Sequence, residues 1–361
     1  MRVASAVALV LLTTVAAPAR AALSEADQRA RIMLEVSQAE EQLRHSGVLL
    51  DDPALDAYLQ EITDRLFPDH KGELHVRSLR DSDFNAFAMP SGSVYFNTGA
   101  LLRIQDEAQL ATVLGHEGTH YTADHAFKQV VHEKHVAGTL ILTPLLTLSL
   151  WAGYSRDQER EADRGGYERM SSSGYDNRAG VELFQRMDRE LTVRHLPRGG
   201  YFWADHPAVK ERVANLTALE GGMPGGAERN PERYLAVTEH ARMDALAAIH
   251  RRRDAELLVF LLDDEKLLNT LPPRARFYLA EGLRLRAKPG DSERAITEYE
   301  TTIATAADDP NAYQALGVRY MRDGHKSEAL AMLRQYVKLE PDETRNSYAR
   351  QYITALEQET P

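Results

Sequence analysis

The sequence of 361 residues contains no cysteine, and this absence excludes several kinds of chemistry. A chain without thiols has no disulfide, no lipidated cysteine and no thiol nucleophile. It also lacks the side chain that closed structural zinc sites often use. A protein of this kind must therefore be stable through its hydrophobic core, without covalent cross-links.

Basic residues are fewer than acidic ones: the chain has 43 lysine and arginine residues and 54 aspartate and glutamate residues. The formal net charge of −11 argues against nucleic acid as a partner, since a phosphate backbone attracts basic surfaces. Hydrophobic residues still make up 43% of the chain, which argues against global disorder and allows a sizeable core. A chain of this length accommodates two or three domains.

The start of the chain lacks a run long enough for a transmembrane helix, and it predicts a cleaved signal peptide instead. Residues 3–17 are uncharged and mostly apolar, but a span needs about 20 such residues. Arg2 precedes this run, and Ala19 and Ala21 offer small residues at the cleavage positions. We therefore expect residues 1–21 to be removed on export, with the bacterial periplasm as the natural location.

The main chemical signal is the H-E-x-x-H motif of residues 116–120. It lies within residues 106–125, whose apolar spacing predicts a helix. Because positions i and i+4 share one helix face, His116 and His120 can reach the same ion. Glu117 then lies beside the ion's bound water, where it can take a proton and later deliver it to the leaving amine. The motif therefore predicts one catalytic zinc ion (Zn2+) per chain, with Glu117 as the general base.

A catalytic zinc site needs a third protein ligand, and the charged segment 155–163 is the candidate. Glu159 and Asp163 are again four residues apart and share one face of a predicted helix. Such a run alone is typical of a solvated helix surface. Next to H-E-x-x-H, we interpret Glu159 as the third ligand and Asp163 as the acceptor that fixes the tautomer of a ligand histidine. His125 is either a helix-surface residue or a supporting residue rather than a ligand.

The second apolar run, residues 136–153, carries no charge and lies between His120 and Glu159. A single membrane crossing would place these two ligands on opposite sides of the bilayer. A hairpin turning at Pro144 would have arms of about eight residues, which are too short to span. We therefore expect a buried or lid-forming segment, and peripheral contact of residues 136–153 with lipid stays open.

The predicted fold class is mainly α (α+β), because helical patterns surround two short β-forming segments. Residues 73–79 alternate as a strand does, and residues 93–97 are rich in β-forming residues. The second segment is either an edge strand that pairs with an extended substrate, with Ser93 and Tyr95 at the contact, or a plain structural strand.

Glycine pairs and Pro224 mark residues 221–230 as a linker between a domain over residues 22–220 and a helical domain over residues 231–361. The second domain carries the spacing of a tetratricopeptide repeat. The residues that match this signature are Tyr313, Leu316, Gly317, Tyr320, Ala329, Leu333 and Pro341. A generic helical bundle is the alternative, and the repeat spacing argues against it.

Four stretches, taken in order, resemble the zinc metallopeptidase family that contains HtpX and the CAAX prenyl proteases. They are the Asn-Ala-Phe-Ala-Met-Pro-Ser-Gly sequence of residues 85–92, the H-E-x-x-H helix, residues 155–163, and His206-Pro207 followed by Arg212. The repeat-like tail narrows the resemblance to the BepA-like periplasmic members, which pair a protease with such repeats.

The resemblance implies a zincin-type domain and a role for each matching residue. It implies zinc on His116, His120 and Glu159, catalytic groups at Glu117, His206 and Arg212, and substrate contact at Asn85. It also implies misfolded or stalled envelope proteins as substrates, and an outer-membrane assembly complex as a partner of the repeats.

His206 has two open roles. Because Pro207 restricts its backbone to extended or turn conformations, we expect His206 on a loop near the metal. There it either donates a hydrogen bond to the developing oxyanion, aided by Arg212, or fills the open zinc position and keeps the enzyme inactive.

The sequence therefore predicts a zinc-dependent endopeptidase of the cell envelope that acts on protein substrates. The main alternative is a zinc-containing chaperone or adaptor for outer-membrane protein assembly, with little or tightly inhibited proteolysis. A purely structural zinc site fits the sequence less well, because such sites use four closed ligands, often cysteine.

Overall fold

The computed structural model describes most of the chain in four stretches: residues 24–129, 154–196, 209–220 and 225–359. The predicted signal peptide, the apolar segment 136–153 and part of the predicted linker lie outside the described residues. His206 lies outside them as well, so its two predicted roles stay open.

The described residues are mostly helical and contain one small sheet, which confirms the predicted fold class. The N-terminal elements are α1 (Glu25–His45), α2 (Pro53–Leu66), β1 (His75–Leu79), β2 (Ala86–Ala88), β3 (Ser93–Asn97), α3 (Glu107–Thr122), α4 (Arg156–Ser172), α5 (Arg178–Val193) and α6 (Val209–Glu220), with short 3-10 helices at Pro68–His70 and Thr98–Leu102. The later elements are α7 (Pro231–Arg251), α8 (Ala255–Leu262), α9 (Glu265–Leu268), α10 (Ala275–Arg286), α11 (Asp291–Thr305), α12 (Pro310–Asp323), α13 (Lys326–Leu339) and α14 (Glu343–Glu359). Within the described stretches, no helix combines the length and the apolar character that a membrane crossing requires.

The sheet has three strands in the order β1-β3-β2, so β3 is its central strand. β1 pairs with β3 in parallel, from His75 opposite Ser93 to Leu79 opposite Asn97, and β2 pairs antiparallel with the other side of β3. The edge-strand interpretation of residues 93–97 was therefore wrong, because both sides of this backbone already pair with neighbouring strands. β2 instead lies at one edge of the sheet and contacts α3.

Side-chain caps determine where the two central helices begin. The N-cap of α3 is Asp106, whose carboxylate accepts a hydrogen bond from the Gln109 amide at 2.8 Å. α4 begins with a capping box, in which Ser155 and Gln158 each accept a hydrogen bond from the backbone of the other. Because each cap defines the first turn of its helix, the local sequence sets the start of both helices that carry the predicted ligands.

One hydrophobic core joins α2, the sheet, α3, α4 and α5, and it also includes the first helix beyond the predicted linker. Tyr234 and Ala241 of α7 are buried in this core, and the Tyr234 hydroxyl donates to the Leu101 carbonyl at 2.6 Å. At the start of α3, the buried carboxylate of Glu107 accepts a hydrogen bond from the Asn230 amide at 3.0 Å. α7 is thus packed onto the N-terminal unit, and the domain boundary at the linker stays a prediction.

From α10 to α13, consecutive helices pack against one another and are joined by short connections. A Cβ atom at Gly317 of α12 would lie 3.0 Å from the Leu333 side chain of α13, so the small residue allows this pair to approach closely. Ala329 is fully buried in the same part of the array. This packing is what the small residues predict, and the assignment to the tetratricopeptide class stays a prediction.

Candidate metal centre

Helices α3 and α4 cross with their backbones in contact, and this crossing builds the site. Gly115 of α3 faces Gly166 of α4, where a Cβ atom on Gly166 would lie 2.9 Å from the backbone nitrogen of His116. A larger residue at this position would push the helices apart. The close approach brings Glu159, about two turns before Gly166, to the histidines of the motif.

His116, His120 and Glu159 form a compact triangle of buried ligand atoms. The two Nε2 atoms lie 3.1 Å apart, and the carboxylate oxygens of Glu159 lie 3.4 Å from His116 Nε2 and 3.6 Å from His120 Nε2. Two ligand atoms of a tetrahedral zinc ion at ordinary bond lengths are about 3.3 Å apart. The triangle therefore fits an ion held by two imidazoles and one carboxylate, with a fourth position for water or substrate.

The triangle lies in a strongly negative field. Burial and the positive charge of Arg212 lower the pKa of His116, but the carboxylates of Asp163 and Glu159 outweigh both and raise it to about 9. Asp163 acts at Nδ1, behind the ring, whereas the Glu159 carboxylate lies at the triangle itself, where its negative charge also favours a divalent cation. The electrostatics of the site thus agree with its geometry.

Behind the ring of His116, a buried ion pair holds the ligand in place. Asp163 Oδ1 lies 3.1 Å from His116 Nδ1 and accepts hydrogen bonds from the Arg212 guanidinium at 2.6 and 2.9 Å. Arg212 also lies over the ring of Phe184, 4.1 Å from its centroid. Arg212 Nη2 also lies 2.9 Å from His116 Nδ1, so Arg212 and Asp163 share the Nδ1 side of this ring, away from the ligand triangle.

Behind His120, a second chain of contacts has a histidine in its middle. His125 Nδ1 lies 3.0 Å from His120 Nδ1, and His125 Nε2 lies 3.1 Å from the Glu161 carboxylate. An ion on His120 Nε2 leaves the ring proton on Nδ1, which then donates to His125, while the Nε2 proton of His125 goes to Glu161. The ring of Tyr154 stacks on the ring of His120, and the two ring centroids lie 3.7 Å apart.

The sequence contained a weak signal for His125 and none for Tyr154. α3 ends at Thr122, and Asp124 has a φ of 59°, so the chain turns and directs His125 toward His120. His125 is thus a supporting residue, one of the two interpretations that the sequence left open. The stacking of Tyr154 on His120 joins residues 34 positions apart in the chain, and residue spacing does not encode such a contact.

Glu117 is buried beside the ligands, with 1% of its surface exposed. Burial and the negative charges of Glu117 and Glu159 together raise the pKa of the Tyr154 phenol. These charges act on Tyr154, which in turn stacks on His120. Glu117, Glu159 and Tyr154 are therefore neighbours in one enclosed site.

The three residues predicted to contact substrate lie in or next to the sheet. The Asn85 carbonyl accepts a hydrogen bond from the Asn97 amide at 3.0 Å, just before β2. Tyr95 is buried in β3 and packs on Phe87, with ring centroids 5.3 Å apart. Ser93 begins β3 and is half-buried. Tyr95 is thus a core residue of the central strand, whereas Asn85 lies next to the edge strand β2.

Replacing His125 with alanine should weaken zinc binding by roughly 10–100-fold, because His120 loses the acceptor that orients its ring. His125→Asn keeps an oxygen acceptor and should restore part of the affinity. Competition with a chromogenic chelator measures both values. His45→Ala removes an exposed histidine of α1 and is the matched control. Equal zinc affinity in the His125→Ala and His45→Ala variants would contradict the supporting role.

Comparison with known proteins shows which family the site-bearing part of the chain resembles. Residues 50–220 match the model of peptidase family M48. The chain is 25% identical over 251 residues to a putative beta-barrel assembly-enhancing protease of Vibrio cholerae, covering 60% of this chain and 51% of the relative. It is 27% identical over 222 residues to the beta-barrel assembly-enhancing protease of Escherichia coli, covering 54% and 45%.

A mitochondrial protein is also similar. The chain is 32% identical over 160 residues to the mitochondrial metalloendopeptidase OMA1 of Schizosaccharomyces pombe, covering 41% of this chain and 46% of the relative. The chain thus spans about half the length of the curated relatives it matches.

Proposed function

Because residues 50–220 form a metallopeptidase domain of peptidase family M48, we propose that this chain is a zinc-dependent endopeptidase. The observation that carries the proposal is the buried triangle of His116, His120 and Glu159, with Glu117 next to it on α3. Two imidazoles and one carboxylate, in a chain without thiols, form a ligand set of catalytic zinc.

Each residue around the triangle has its own role in the proposed hydrolysis. When bound, zinc polarises the scissile carbonyl and lowers the pKa of a water molecule to about 7. Glu117 takes a proton from the attacking water and delivers it to the leaving amine. Asp163 orients His116 and His125 orients His120, so both rings keep their Nε2 atoms directed into the triangle.

We place the substrate along β2. This edge strand contacts α3, and within the described part of the chain it pairs only with β3. The three residues of β2 are buried in the free chain, and an extended peptide that paired with them would run beside the helix that carries His116 and His120. Asn85, immediately before β2, is then the side chain positioned to contact that peptide.

The sequence and the relatives support a proposed substrate class and location. The predicted signal peptide directs the chain to the periplasm, and two of the relatives are named as beta-barrel assembly-enhancing proteases. We therefore propose misfolded or stalled envelope proteins as substrates. The C-terminal helices, as tetratricopeptide repeats, would contact an outer-membrane assembly complex.

Cleavage of casein, a loosely folded protein, tests the proposed reaction. The purified chain should degrade casein, phenanthroline should stop the cleavage by removing zinc, and added zinc should restore it. A serine-protease inhibitor is the control and should have no effect. A chain that contains zinc and keeps casein soluble without cutting it would instead support the chaperone or adaptor alternative.

A further inference from the structure

A groove of about 470 Å³ opens on the C-terminal helical array. We call it the inner groove, and it is lined by α7, α10 and α12, which alternate with the helices that pack behind them. Its volume lies within the range of about 300–1,000 Å³ that is usual for small-ligand sites. The inner groove thus has room for a short extended stretch of chain and not for a folded domain.

The lining of the inner groove is basic, although the chain as a whole is acidic. Four arginines line it and come from all three helices: Arg251 of α7, Arg284 of α10, and Arg319 and Arg322 of α12. Glu281 is the one acidic residue among the lining residues of the described chain. The lining therefore carries a positive excess on a protein with a formal net charge of −11, although burial and the nearby Asp309 carboxylate raise the pKa of Tyr278.

Two of these cations have their charge balanced within the protein. Arg284 donates to Glu281 at 2.6 and 2.8 Å, and Arg319 donates to Asp323 at 2.6 Å. Glu281 also lies 2.8 Å from His250 Nε2, so this carboxylate is already fully engaged. The charge that remains for a ligand is therefore not that of Arg284 or Arg319.

Arg251 and Arg322 supply the remaining charge. Both side chains are exposed at the groove, and neither forms an ion pair with another residue of the described stretches. They lie on different helices, α7 and α12, so a ligand that uses both must extend across the groove. Separated guanidinium groups suit several carboxylates along a chain better than one compact anion.

The rest of the lining suits a polypeptide. Phe277 is buried with its ring against that of Tyr278, and Tyr278 itself is half-buried in the groove wall. Ala315 and Val318 of α12 add apolar surface to the lining. A ligand of matching chemistry has apolar side chains between its carboxylates, as an acidic peptide segment does.

We infer that the inner groove binds an extended acidic peptide segment, whose carboxylates pair with Arg251 and Arg322 and whose apolar side chains pack on Tyr278. This binding requires no peptide-bond cleavage, so it is independent of the proposed protease activity. It would give the helical array a preference for acidic stretches in substrates or partners.

Fluorescence anisotropy on the full chain tests this inference. The Glu117→Gln variant prevents cleavage of the probe. The probe is a short labelled peptide in which glutamates alternate with leucines, and the reference peptide has glutamine in place of each glutamate. The acidic peptide should bind about tenfold more tightly, because the glutamine peptide loses both of its charged pairings with the exposed guanidinium groups. Its affinity should fall as salt is added.

Matched variants assign the binding to the groove. Arg251→Gln with Arg322→Gln should weaken binding of the acidic peptide about tenfold or more. Arg334→Gln with Arg345→Gln removes the same charge from exposed positions outside the groove and should leave the affinity unchanged. All four side chains are exposed, so thermal unfolding midpoints should agree and report intact folds.

Three outcomes would overturn the inference. Equal binding of the acidic and the glutamine peptides would show that charge complementarity does not contribute to binding. Unchanged affinity in the Arg251→Gln, Arg322→Gln variant would place the peptide elsewhere. An equal loss in the Arg334→Gln, Arg345→Gln variant would show attraction by the overall surface charge and no specific groove.

Discussion

Replacing Glu117 with glutamine should slow peptide hydrolysis by about 10²–10⁴-fold while zinc content and fold stay unchanged. Glutamine has nearly the shape of glutamate, so the buried position beside the ligands stays filled. Its amide accepts no proton at neutral pH, and the attacking water is no longer deprotonated. Turnover of a quenched fluorescent peptide measures the rate, and elemental analysis measures zinc in the same sample.

Glu168→Gln is the matched control for this variant. Glu168 is exposed on α4, so its replacement removes the same charge without touching the site. The control should cleave at the rate of the unchanged chain. Near-normal turnover in the Glu117→Gln variant would end the assignment of Glu117 as the base, and loss of zinc would show that Glu117 supports the ligands instead.

Removing both imidazoles, in a His116→Ala, His120→Ala variant, should reduce the zinc content from one ion per chain to none. The remaining carboxylate of Glu159 offers a single protein ligand, whereas a catalytic zinc ion needs three. Hydrolysis should disappear together with the metal. Elemental analysis after gel filtration measures the stoichiometry directly.

A thermal readout separates metal loss from misfolding. Because zinc binds the folded chain, a chelator should lower the unfolding midpoint of the unchanged protein and leave that of the double variant unaffected. His45→Ala with His325→Ala removes two exposed histidines and should behave as the unchanged protein does. If the double variant does not fold, His120→Gln, which keeps a polar side chain, should still show the loss of stoichiometric zinc.

Stoichiometric zinc in a folded double variant would rule out the ligand assignment. If that variant kept zinc but lost cleavage, His116 and His120 would act in the reaction by some means other than binding the metal. Both measurements use the purified full chain and need no knowledge of the natural substrate.

Local residue spacing was sufficient to predict most of the candidate ligand set. His116 and His120 share a helix face because four residues make about one turn, and this geometry does not depend on the rest of the fold. Glu159 and Asp163 follow the same rule on their own helix. That the two helices would meet was an inference from the zinc chemistry and the family resemblance, and the structure shows the glycine crossing at Gly166 that brings them together.

The tertiary structure alone decided the contacts that join distant parts of the chain. The order of the three strands made β3 central, although its composition suits an edge or a central strand equally. Arg212 forms a buried ion pair with Asp163, because a long cationic side chain in the interior needs a carboxylate partner. The sequence spacing contains no information on such pairings.

The sequence by itself thus determined the helical segments, the types of candidate ligand and the position of the predicted base beside them, because periodicity within single elements sets all three. The tertiary structure decided how those elements support the site, through His125 behind His120 and through α7 packed onto the N-terminal core. The physical reason is that helical periodicity acts over a few residues, whereas burial and charge pairing depend on every element that packs against a side chain.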